Sequence, residues 1–79
     1  MRLPRDVSGD DLIRALAKRG YRVTRQVGSH ARLSVVTDRG EHHVTVPRHD
    51  RLRVGTLAGV LQDVAAWLEI DRGDLVADL

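Results

Sequence analysis

YRVTRQVGSHARLSVVTDRGEHHVTVP, running from Tyr21 to Pro47, is the stretch on which the fold turns. Apolar and polar residues alternate along it, and two turn signals, one at Gly28 and one at Asp38-Arg39-Gly40-Glu41, cut it into three. The spacing predicts strands over Tyr21–Gln26, His30–Thr37 and His42–Pro47. Closing Gln26 against His30 across three residues sets Val23 beside Leu33 and Tyr21 beside Val35. A second turn of two or four residues is expected to set Val35 opposite Val44 and Leu33 opposite Val46, because an odd loop would split the apolar residues between faces. One face then carries Tyr21, Val23, Ala31, Leu33, Val35, Val44 and Val46. The other is open and polar, with Arg22, Thr24, Gln26, His30, Arg32, Ser34, His43 and Thr45.

Helices flank this block. Ser8 reads as an N-cap, Asp10 and Asp11 suit the positive end of the dipole, and Leu12, Ile13, Leu16 and Ala17 share a face, which predicts a helix over about 9–19 stopped by Gly20. After Pro47 comes a basic loop, Arg48 to Arg53. Thr56 reads as the cap of a second helix with an apolar stripe of Leu57, Val60, Leu61, Val64 and Leu68. Asp71 can cap a last short helix carrying Leu75, Val76 and Leu79. The expected fold class is α+β, a three-stranded antiparallel sheet with two helices on one face and a short C-terminal helix, forming one domain over residues 1–79.

Seventy-nine residues can bury only about 60% of the surface of the unfolded chain, so the core must be thin. With 42% hydrophobic and 30% charged residues, the composition is that of a globular chain. No cysteine is present, which excludes disulfides and thiolate metal sites, and neither a signal segment nor a membrane span is visible; a cytoplasmic location is the expectation. The net charge is only +2, yet residues 1–53 hold twelve Arg/Lys against six Asp/Glu, and residues 54–79 hold Arg72 against five acids. A basic front of this kind suits a polyanion.

Chemistry at neutral pH falls to the histidines, since imidazole titrates near neutrality and the chain offers one lysine and no thiol. His30 follows the Gly28-Ser29 turn at a strand edge, placed as a general acid/base; the plain alternative is a turn histidine bonding backbone. His49 is the candidate second acid/base, because the expected register extends to bring it opposite His30; otherwise it is a loop residue touching backbone or phosphate. Arg22, Arg25 and Arg32 near the His30 edge, and Arg48, Arg51 and Arg53 before the second helix, are candidate phosphate ligands. His42 and His43 alternate faces, and a zinc site from His43, His49 and Asp50 lacks supporting spacing, so no metal and no cofactor are expected. Tyr21 and Trp67 fall at core positions, leaving no aromatic for base stacking.

The order αβββα is that of a double-stranded-RNA-binding domain, and the local sequence is similar to a narrower family. Leu3-Pro4-Arg5-Asp6-Val7-Ser8-Gly9, Arg19-Gly20-Tyr21, Arg25-Gln26-Val27-Gly28-Ser29-His30, Val46-Pro47-Arg48-His49 and Gly55-Thr56-Leu57 resemble, in order and spacing, the HicA toxins of toxin–antitoxin pairs. The resemblance extends from Leu3 to Leu79. It implies metal-independent cleavage of messenger RNA, with the histidine of Gly28-Ser29-His30 catalytic and a HicB-type antitoxin expected over the His30 face. The segment Asp63–Ile70 departs from the family pattern, having no glycine where the last two helices usually break. RNA brings its own nucleophile, so a positioned imidazole and arginines suffice in principle for cleavage. The same basic surface also suits a non-catalytic RNA-binding module, or an inactive toxin relic that retains only its partner.

Overall fold

A computed structural model describes residues 3–79. Its elements run α1 (Gly9–Ala17), β1 (Arg22–Val27), β2 (His30–Thr37), β3 (Gly40–Pro47), α2 (Val54–Leu68) and α3 (Arg72–Ala77). The sheet is antiparallel in the order β1-β2-β3, with the helices against one face, as the alternation predicts. Val7, Leu12, Leu16, Tyr21, Ala31, Leu33, Val44, Val46, Leu57, Leu61, Val64 and Leu75 are all buried in one core cluster. Each fully buried leucine contributes roughly 1.5–3 kcal/mol, so this thin interlayer carries most of the stability. Among the described residues, no helix is long and apolar enough to cross a membrane.

α1 starts where the sequence predicts. Asp11 N–H donates to Ser8 Oγ at 2.9 Å and Ser8 N–H donates back to Asp11 Oδ2 at 3.1 Å, a reciprocal capping box. That backbone hydrogen bond holds the Asp11 carboxyl below its ordinary 3.8. The helix ends at Ala17, two residues short of the expected 19, and the chain reverses through Gly20 at φ +96°. α2 differs more: it begins at Val54 with Arg53 as N-cap and no side-chain cap, so Thr56 lies inside the helix rather than ahead of it. α3 is capped as expected, with Asp71 Oδ1 accepting from Gly73 N–H at 2.7 Å, and carries Leu75 and Val76, but it ends at Ala77, so Leu79 lies beyond it.

The register corrects the sequence reading. The second turn has two residues, Asp38 and Arg39, so β3 starts at Gly40 and Leu33 pairs with Val44, Ala31 with Val46 and Val35 with His42. That is a slip of two residues from the expected pairs, which keeps every side chain on its predicted face. The first turn is also tighter than expected: Val27, not Gln26, pairs with His30, across Gly28 at φ +58° and Ser29. The expected pairing of Val23 with Leu33 survives because the β1 register shifts between Val23 and Arg25. This bulge moves Arg25 and Val27 onto the open face and puts Gln26 on the Ala31 side, against expectation. Trp67 packs against the edge of the core rather than lying inside it. It is half-buried beneath the Arg39 guanidinium, 4.5 Å from its ring centroid, and stacks on His42 at 5.0 Å.

Candidate active site on the open sheet face

His30 opens β2 and pairs with Pro47, so the expected opposition of His30 and His49 in the ladder does not occur. The two imidazoles still meet. Pro47 ends the strand, Arg48 N–H donates to Ser29 carbonyl at 2.6 Å, and His49 follows on the turn with its ring centroid 6.5 Å from that of His30. Gly9 N–H donates to the His49 carbonyl at 2.9 Å, so the first turn of α1 fixes the backbone that carries His49. Both imidazoles are exposed. A phosphodiester lying across the two rings would be within reach of both.

The arginines separate into two groups. Arg48 is anchored, its Nε 2.8 Å from Asp10 Oδ1 and its Nη1 donating to Gln26 Oε1 at 3.3 Å, which holds a guanidinium beside the Gly28-Ser29 turn. Arg51 pairs with Asp6 at 2.6 Å on the other side of the loop, where Arg53 caps α2. Among the described residues, neither Arg51 nor Arg53 is joined to His30 by a hydrogen bond. Arg22, Arg25 and Arg32 form no ion pair among the described residues, and they line a groove on the open face. Their positive charge is therefore available to a ligand. Among the described residues, no cluster of three or more His, Asp or Glu side chains is placed to hold a metal ion.

Two arrangements escaped the sequence reading. On the core side, Tyr21 Oη lies 2.7 Å from His42 Nδ1 and His42 Nε2 lies 3.0 Å from Asp63 Oδ1, linking the start of β1, β3 and α2. On the open face, Ser34 Oγ lies 2.5 Å from His43 Nδ1, Thr24 Oγ1 lies 2.8 Å from Ser34 Oγ, and His43 Nε2 lies 3.3 Å from Glu41 Oε2. In the register expected from sequence Ser34 would face Thr45. Only the two-residue turn brings it to His43.

The fold and site together define a small α+β domain, ordered like a double-stranded-RNA-binding domain, whose uncovered sheet face presents paired imidazoles and free guanidinium groups. The family model described as the HicA toxin of bacterial toxin–antitoxin systems matches residues 9–65. The chain belongs to the HicA toxin family, and is thereby placed with the toxins of toxin–antitoxin pairs. Searches of curated proteins and of solved structures return no match.

Proposed function

We propose that this protein is an endoribonuclease toxin that cleaves messenger RNA without a metal ion, using His30 as general acid/base. The observation that carries the reading is the His30–His49 pair, 6.5 Å between centroids, at the end of a face bearing free arginines. One imidazole removes the proton of the ribose 2′-hydroxyl, whose oxygen attacks the adjacent phosphorus. The bond to the 5′-oxygen breaks and the second imidazole protonates it, leaving a 2′,3′-cyclic phosphate and a 5′-hydroxyl. Arg48, beside the turn, bears the charge of the phosphate that is cleaved, and Arg22, Arg25 and Arg32 along the face bind neighbouring phosphates. Because the 2′-hydroxyl supplies the nucleophile, the reaction needs no metal-bound water. A HicB-type antitoxin covering the His30 face would block substrate directly.

The test is cleavage of RNA by purified protein in the presence of a chelator. His30→Ala is expected to lower the rate by about 10²–10⁴, the usual worth of one acid/base group, and His49→Ala by about 10². Parental rates in the His30 variant would overturn the assignment, leaving the surface to a non-catalytic RNA-binding role. If only the His49 variant kept the parental rate, the second proton would be handled elsewhere.

A further inference from the structure

The open face continues well beyond His30. Four residues further along β2, Ser34 is hydrogen-bonded to Thr24 and His43, Glu41 lies 3.3 Å beyond His43 to complete the row, and Arg22, Arg25 and Arg32 stand beside it. These groups line a groove of 640 Å³. At the rise of an extended strand the row lies about 13 Å from His30, too far to share a proton transfer at one phosphate. It is within the span of a short stretch of RNA backbone.

Resting on the ribonuclease reading above, we infer that this face is a one-sided track for single-stranded RNA: the Thr24–Ser34–His43–Glu41 row and its three arginines hold the nucleotides on one side of the bond broken at His30. The side is set by the fold. β2 begins at His30, so beyond it the face gives way to the Gly28-Ser29 turn, and the whole row lies in the other direction. Charge complementarity favours a polyanion, with three guanidinium groups against one carboxylate. That carboxylate already faces His43, whose Nε2 lies 3.3 Å from Glu41 Oε2.

The track suits RNA in single-stranded form for two reasons. Thr24 and Ser34 hydroxyls both donate and accept, the complement of a ribose 2′-hydroxyl. Val36, 75% exposed in the same groove, gives an unstacked base an apolar surface to lie on. Bases are splayed out in this way only in single strands, and contact through ribose, phosphate and an apolar side chain rather than base edges is tolerant of sequence.

Binding is read by fluorescence anisotropy of a labelled ten-nucleotide single-stranded RNA and the matching DNA, using His30→Ala protein so that nothing is cleaved. Adding Ser34→Ala and His43→Ala is expected to weaken RNA binding about tenfold and to abolish any preference over DNA. Adding Glu41→Gln, which keeps an acceptor for His43 but removes the negative charge, is expected to tighten binding about threefold, a change that misfolding does not imitate. Unchanged affinity and preference in the double variant, weaker binding with Glu41→Gln, or tighter binding to a blunt RNA duplex than to the single strand would each overturn the track. The nuclease reading is judged separately by parental cleavage. Cleavage that depends on His30, with binding indifferent to Ser34 and His43, sinks the track alone; loss of RNA preference in a protein that cleaves nothing sinks only the nuclease reading.

Discussion

Gly9 has no room for a side chain. A Cβ at this position would lie 2.1 Å from the Pro47 carbonyl oxygen and 2.8 Å from the Arg48 Cα, both backbone atoms that cannot swing aside. Gly9→Ala must therefore push α1 away from the end of β3, and a loss of about 1–3 kcal/mol is expected in urea unfolding. An unchanged midpoint would contradict this contact. Glu69 poses the opposite case. It sits at φ 57°, ψ 45° after α2, while Ile70 N–H bonds the Ala65 carbonyl. A left-handed residue thus breaks α2 from α3 although the sequence has no glycine there, so the family's break is kept at some conformational cost. Glu69→Gly is expected to stabilise the protein by about 1 kcal/mol, less whatever the 3.6 Å pair with Arg39 contributes. A lower thermal midpoint in that variant would show that the pair outweighs the strain.

At the level of elements, Tyr21, His42 and Asp63 join strand to strand to helix. Burial, with a smaller push from the Asp63 carboxylate, raises the Tyr21 phenol from its ordinary 10 to about 12. An unfolded chain loses that proton near pH 10, so the stability this group contributes is complete below pH 10 and is lost as pH rises towards 12. Tyr21 is the only tyrosine, which makes tyrosinate absorbance a direct readout. It is expected to lag behind free tyrosine and to appear together with loss of the fold; titration at pH 10 in a folded protein would refute the buried network. Sequence reached the elements because alternation and capping are local. It missed the Tyr21–His42 and Ser34–His43 pairs because these depend on turn length, and Asp38-Arg39 closed in two residues where the expected pairs needed four. The faces survived that slip because its size was even. Gln26 changed face because a bulge at Thr24 has no sequence signature in a strand whose residues are all exposed.

Across the molecule, the acidic C-terminal third does not form a surface of its own. Asp63 meets His42, Glu69 meets Arg39, Asp78 meets Arg19 at 3.1 Å, and Asp71 caps α3. Four of the five acids are thus engaged on the helix-covered side, and the open sheet face keeps arginines that form no ion pair among the described residues. A charge asymmetry along the chain thus becomes one between the two sides of a thin body, 18 Å across its shortest axis. Three arginines on single-stranded phosphates predict a log–log salt slope of about −2, and Arg25→Ala should flatten it by about 0.7. A flat dependence in the parent protein would remove the polyanion argument for this face. The joint between Gly9 and His49 has a different kind of consequence. Because the first amide of α1 grips the backbone of one imidazole and Asp10 grips Arg48, the rear of the protein acts as a handle on its front. A binder that pried α1 from the strand end would part the two imidazoles remotely, leaving the groove in plain view and its charges untouched.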